Sequence, residues 1–157
     1  MQFKAANKYH QMMRSYEKRR RVGANTGNSI SNVAGKDATE EFFTQCYHFK
    51  DWLKKELPRL SQQIEDHITS SSALSVAADY CNSFKHAGLD KQPRSGETLV
   101  EIMEHTRMEL TPQGFVGSAE VEIRTASKTY RASDVAADCI RDWDAFLRSN
   151  NITVPAP

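Results

Sequence analysis

The chain lacks most of the signatures that would announce an activity. It has no Walker loop, no GxGxxG turn and no GxSxG nucleophile elbow, which removes the standard nucleotide-binding and hydrolase readings. CxxC and HExxH spacings are absent too. Cys46, His48, Cys81 and His86 suit zinc by residue type alone, so neither a metal nor a cofactor is expected. No apolar run approaches a membrane span, and the start is not the charged-then-apolar pattern of a signal peptide. Cys46, Cys81 and Cys139 are an odd set, far apart, and this predicts buried free thiols in a reducing compartment. The expected location is the cytoplasm, with no membrane partner.

Acid is scarce at one end. Residues 1–36 hold a single carboxylate, Glu17, against Lys4, Lys8, Arg14, Lys18, Arg19, Arg20, Arg21 and Lys36, a balance of +7. The remainder carries 13 basic and 19 acidic side chains, a balance of −6, and the net charge of +1 conceals the split. Two readings follow. Arg14 and the Lys18–Arg21 run bind an RNA backbone or an acidic partner, or the basic first helix docks on the acidic body of its own chain.

With 157 residues the chain reads as one domain able to bury a core without staples. Tyr9, Met12, Met13 and Tyr16 recur at helical spacing, giving a basic first helix within 1–22. Residues 23–36 are rich in Gly, Asn and Ser and read as a mobile loop. Phe42, Cys46, Phe49, Leu53 and Leu57 stripe a second helix over about 37–56, stopped by Pro58. Residues 59–68 add a short helical turn. Ser70 to Ser72 offer an N-cap to a third helix over 71–87, closed by Gly88. Leu99–Leu110 is ambiguous between helix and strand, whereas Glu120–Arg124 alternates as a half-buried strand with a turn at 125–128 and a short return. The expectation is a mainly α fold: four main helices, with a small antiparallel β-meander (98–131) before a last helix over 134–149. Asp144 and Arg148 pair on its outside, and the tail from Thr153 frays.

The third helix carries the most pointed site. Its apolar face is Ala73, Ala77, Tyr80 and Phe84, and Asp79, Asn82 and His86 share the opposite face. Histidine titrates near neutral pH, a carboxylate seven residues earlier can orient it, and an amide can bond a phosphate or a 2′-hydroxyl. The alternative is a solvated helix end whose Lys85 and His86 simply complement the dipole. On the second helix His48, Asp51 and Trp52 lie off the apolar stripe, as a second groove wall, an interface anchor, or a second buried face.

These residues carry a resemblance. The phrases Phe42-Phe43-x-x-Cys46-Tyr47-His48-x-Lys50-Asp51-Trp52-Leu53 and Ala78-Asp79-x-Cys81-Asn82-x-x-Lys85-His86 are similar to a group of bacterial HEPN-like proteins. The HEPN superfamily comprises helical domains that often dimerise and act in toxin–antitoxin and antiviral defence systems, many as metal-independent endoribonucleases. The resemblance places Asn82 and His86 at the motif's second polar position and histidine, while Cys81 stands where the motif arginine belongs. It implies a homodimer with the third helix near its axis, engaging RNA or a nucleotide. His86 would be the acid or base in 2′-hydroxyl attack on the adjacent phosphate. Lys85 would stabilise charge, Asn82 would orient the phosphate and Asp79 would orient His86. Arg14 or the Lys18, Arg19, Arg20 and Arg21 run would assist in trans. The alternative implied by Cys81 is a catalytically silent subunit with a protein partner in a larger defence complex.

Overall fold

The computed structural model describes residues 3–23, 32–85 and 92–157. Among these residues five α-helices and one 3-10 turn surround a core, and a three-stranded antiparallel sheet stands before the last helix. The mainly α expectation with a β-meander ahead of the final helix holds at that level.

Helix α1 (Lys4–Gly23) runs antiparallel to α2 (Asn32–Glu56), with Tyr9 against Phe49 and Tyr16 against Phe42. Ala5, Met12, Ser15 and Arg19 are buried and recur on one helical face, with Ala6 buried beside them. The Glu56 carboxylate, from the far end of α2, takes the backbone amides of Lys4 and Ala5, so orphan donors at the start of α1 meet a negative charge. Helix α2 begins earlier than its stripe predicts. Residues 32–36 form its opening turn, and Thr39 Oγ1 donates to Gly35 O there (2.9 Å). Residues 24–31 of the expected loop lie outside the described residues.

Phe42, Cys46, Phe49 and Leu53 are fully buried as the stripe requires, and Phe43 joins them. Pro58 ends α2 and opens the turn Pro58–Leu60, after which α3 (Ser61–Ser70) is a full helix where only a turn is legible. Ser71 caps α4 (Ser72–Lys85): its Oγ accepts from Leu74 N (3.0 Å) and donates to Asp142 Oδ2 (2.6 Å) on α5. Helix α4 is the spine. Every residue from Ala73 to Cys81 is buried, packed among α2, α3, α5 and the sheet.

Strand β1 (Leu99–Thr111) resolves the ambiguous segment as extended chain. It pairs with β2 (Gly114–Thr125), which pairs with β3 (Thr129–Arg131). The β1–β2 turn is Pro112-Gln113, and Gly114 leaves it at φ +120°, a conformation few side chains tolerate. Val121 and Ile123 bury one face of the base of the sheet against the helices, and Ile102 packs with them. Six further residue pairs lie between His105–Glu120 and the tip, a projection of roughly 20 Å. Glu120 then ties β2 to α5 (Ala132–Ser149), accepting from Ser133 N (3.1 Å) and Ser133 Oγ (2.6 Å) at the helix start.

Helix α5 buries Val135, Cys139, Trp143 and Phe146, and Trp143 meets Phe49 edge-on at 5.2 Å. Asp144 accepts from the Tyr9 hydroxyl (2.8 Å), where an exposed pair with Arg148 was expected. Burial, followed by that bond, pushes the Tyr9 phenol up to about 12. All three cysteines are buried thiols outside any disulfide. The tail is not frayed. Asn151 adopts φ +53°, Ile152 N returns to Leu147 O (2.9 Å), and the chain turns back so that Ile152 and Val154 pack on the core. Among the described residues no helix is long and apolar enough to cross a membrane.

Candidate functional site

Two constellations of charge stand out, and they treat their charges in opposite ways. The first surrounds the C-terminal half of α4. Asp79 is 1% exposed, and both carboxylate oxygens are occupied. Oδ1 accepts from Arg94 N (2.7 Å), and Oδ2 from Ser95 N (2.9 Å) and Ser95 Oγ (2.6 Å). Asp79 therefore does not sit on a solvated face. It pins the segment leading into β1, because α4 is surrounded on nearly all sides.

The pinned segment carries Arg94, whose guanidinium reaches Glu65 Oε2 (2.6 Å) on α3. Glu65 Oε1 takes Lys54 Nζ at 2.6 Å and lies 3.5 Å from Lys50 Nζ, both on α2. Burial alone would raise the Glu65 carboxyl. The bonds from Lys54 and Arg94 and the charge of Lys50 outweigh it and hold the group at about 2. Lys50 is itself buried, its ammonium 4.4 Å from the centre of the Tyr47 ring and 3.8 Å from Asp51 Oδ1. Ion pairs thus join Asp51, Lys50, Glu65 and Arg94 in a row, and the backbone amide of Arg94 carries the row on to the Asp79 anchor.

Among the expected residues, Asp51 and Asp79 are joined by this row. Asn82 is half-buried one turn beyond Asp79, Lys85 closes α4, and His86 lies outside the described residues. His48 is half-buried beside Tyr47 (ring centres 6.4 Å apart), and Trp52 is 39% exposed. Lys50, Lys54, Glu65, Arg94 and Ser95 were missed. The i, i+4 pair Lys50/Lys54 was visible as a cationic step on α2, but nothing local marks Glu65 or Ser95 as its destination.

The second constellation is the face of α1. A groove of about 780 Å³ is lined by His10, Met13, Arg14, Glu17, Lys18 and Arg21, with Pro157 at its edge. The tail closes one end, where Pro155 O meets His10 Nε2 at 2.8 Å. The basic run divides. Arg19 is 8% exposed and pairs with Glu120 (3.2 Å) on β2; burial lowers its pKa and Glu120 opposes that. Arg20 pairs with Glu17 (3.1 Å) and Lys18 with Glu41 (2.5 Å). Arg14 and Arg21 are exposed and form no ion pair among the described residues. Arg19 thus docks inward on its own chain, and Arg14 and Arg21 face outward.

Beside this groove, on α2, lies a second of about 300 Å³ lined by Asp37, Glu40, Glu41, Thr44 and Gln45. Among the described residues no cluster of three or more His, Cys, Asp or Glu is arranged to hold a metal ion.

No protein-family model, no curated protein and no solved structure matches this chain. The likeness to HEPN proteins rests on the motif residues alone.

Proposed function

We propose that the chain is an RNA-engaging protein with a four-helix, HEPN-like bundle, of the kind found in bacterial defence or toxin–antitoxin systems, and that it binds through the groove on α1. One observation carries this reading. His10, Arg14, Lys18 and Arg21 recur at three- and four-residue spacing along one concave face, and two of the guanidinium groups form no ion pair among the described residues. Such a row meets successive phosphates without reading bases, so affinity should be sequence-tolerant and strongly salt-dependent. In a cleaving version His86 is the acid or base, with Asn82 and Lys85 at the phosphate. Asp79 supports that site by fixing the 92–95 segment.

The test is binding of single-stranded RNA by anisotropy across a salt series, beside a double variant Arg14→Gln/Arg21→Gln. Each lost phosphate contact should lower the salt slope by about 0.7. An unchanged slope, or no binding at low salt, sinks the reading. Metal-free cleavage with chelator present, compared with a folded His86→Ala variant, decides whether binding leads to strand scission.

A second reading, a catalytically silent subunit that binds a protein, is favoured by the occupied carboxylate of Asp79 and the exposed indole of Trp52. Under it, partner affinity is lost on Trp52→Ala and survives added salt.

A further inference from the structure

The two grooves on α1 and α2 are opposite in charge and adjoin along the Lys18–Glu41 bridge. From this we propose that the α1–α2 face docks a second copy of the same chain.

The antiparallel register of the two helices is fixed by Tyr9 against Phe49, Tyr16 against Phe42 and Lys18 against Glu41. That register sets Arg14 level with Gln45, and Arg21 level with the helical turn that holds Asp37. Once Lys18 has paired with Glu41, the arginines lining the groove on α1 with no ion pair among the described residues are Arg14 and Arg21. In the groove on α2, Asp37 and Glu40 have no ion pair among the described residues. A two-fold axis lying in the interface, parallel to the seam between the helices, turns each basic groove onto the partner's acidic one. It also preserves height along the helices, so each α1 lies antiparallel on the other copy's α2. The contact is isologous and closes after two copies.

A polar atom points to the same occupant. Gln45 Oε1, in the acidic groove, is buried and has no hydrogen-bond partner. The guanidinium of Arg14 of the partner subunit arrives at that height as a donor. A copy of this chain brings Arg21 to the height of Asp37 and Arg14 to that of Gln45, because the two-fold axis keeps the register already set between α1 and α2. A polyanion matches only the α1 half and is repelled by the other.

This interface does not need the RNA reading. It competes with it, since both use α1. It also differs from a dimer built around α4, whose residues 73–81 are already buried.

Light scattering or sedimentation on the full chain tests it. The expected result is twice the 17.8 kDa chain mass at about 0.05 M salt, with roughly tenfold or greater weakening by about 0.5 M. Two variants split the interface. Arg14→Glu/Arg21→Glu makes both grooves acidic, and Asp37→Lys/Glu40→Lys makes both basic. Each alone should be monomeric, with circular dichroism unchanged. Mixed together they should recover a dimer, because each then offers the other its complement. A monomeric wild type at roughly 0.1 mM, a dimer indifferent to either variant, or folded variants that fail to associate on mixing each overturns the proposal. RNA that binds while no dimer forms at any concentration overturns it and leaves the RNA reading standing. A dimer without RNA affinity does the reverse.

Discussion

The Asp79–Arg94–Glu65 network and the α1 face are built from the same kinds of side chain, yet one is closed and the other open. In the first, Glu65 alone is shared by Lys50, Lys54 and Arg94, and Asp79 has every oxygen filled by the backbone and side chain of two residues. In the second, Arg14 and Arg21 end in solvent. A charged side chain acts on a partner only if its own protein has left it unspent. The contrast predicts large stability effects and little direct binding from the first set, and the reverse from the second.

The sharpest way to break that contrast is Asp79→Ala. It removes a buried acceptor of three hydrogen bonds and should cost about 3 kcal/mol in denaturant unfolding, with Asp79→Asn costing less. A loss below about 0.5 kcal/mol would mean the 92–95 segment is not anchored there.

Next in size is a comparison within the basic run. Glu120→Gln leaves Arg19 buried without its counter-charge and removes an acceptor from the start of α5, at a cost of about 2 kcal/mol. Arg20→Gln breaks an exposed pair and should cost under about 0.5 kcal/mol. Equal losses would show that burial does not separate the two arginines.

Glu65 sharpens the comparison through pH. Its carboxyl is held at about 2 against an ordinary 4.5, so the unfolded chain takes up the proton first as pH falls. The stabilisation is therefore complete above about 4.5 and is lost progressively down to about 2. Glu65→Gln should flatten that part of the acid-unfolding curve. With the side chain one-quarter exposed, the cost at neutral pH is about 1–2 kcal/mol. An unaltered slope between these limits would remove Glu65 from the closed set.

The smallest effect belongs to Arg14→Gln/Arg21→Gln, under about 0.5 kcal/mol in the same unfolding measurement. A larger loss would show these two to be structural after all.

The apolar stripes of α2 and α5 were legible because a helix that buries one face must repeat its apolar residues near 3.6. Phe42, Cys46, Phe49 and Leu53, and Val135, Cys139 and Trp143, do so. The long hairpin was not. Leu99–Leu110 mixes Val100, Ile102, Met103 and Met108 with charges at no single period, since only the base of the sheet rests on the core. The basic run misled as a block. Successive residues fan by 100°, so Arg19 leaves Lys18 and joins the Met12–Ser15 face, where it is buried. Asp79 reads locally as a partner for His86. Its actual partner, Ser95, is 16 residues on, and no local spacing encodes that meeting.

The burial of α4 on all sides gives it a particular mutational profile. In a helix lying on a surface, tolerance rises and falls with each turn as inward and outward positions alternate. From Ala73 to Cys81 there is no outward position, and three of those nine residues are alanines whose small size lets neighbouring helices approach. A saturation scan of α4 should therefore show an unbroken intolerant block in which enlarging Ala77 or Ala78 is as harmful as truncating Leu74 or Tyr80. The oscillation should return only at Asn82, where the helix emerges beside the motif residues.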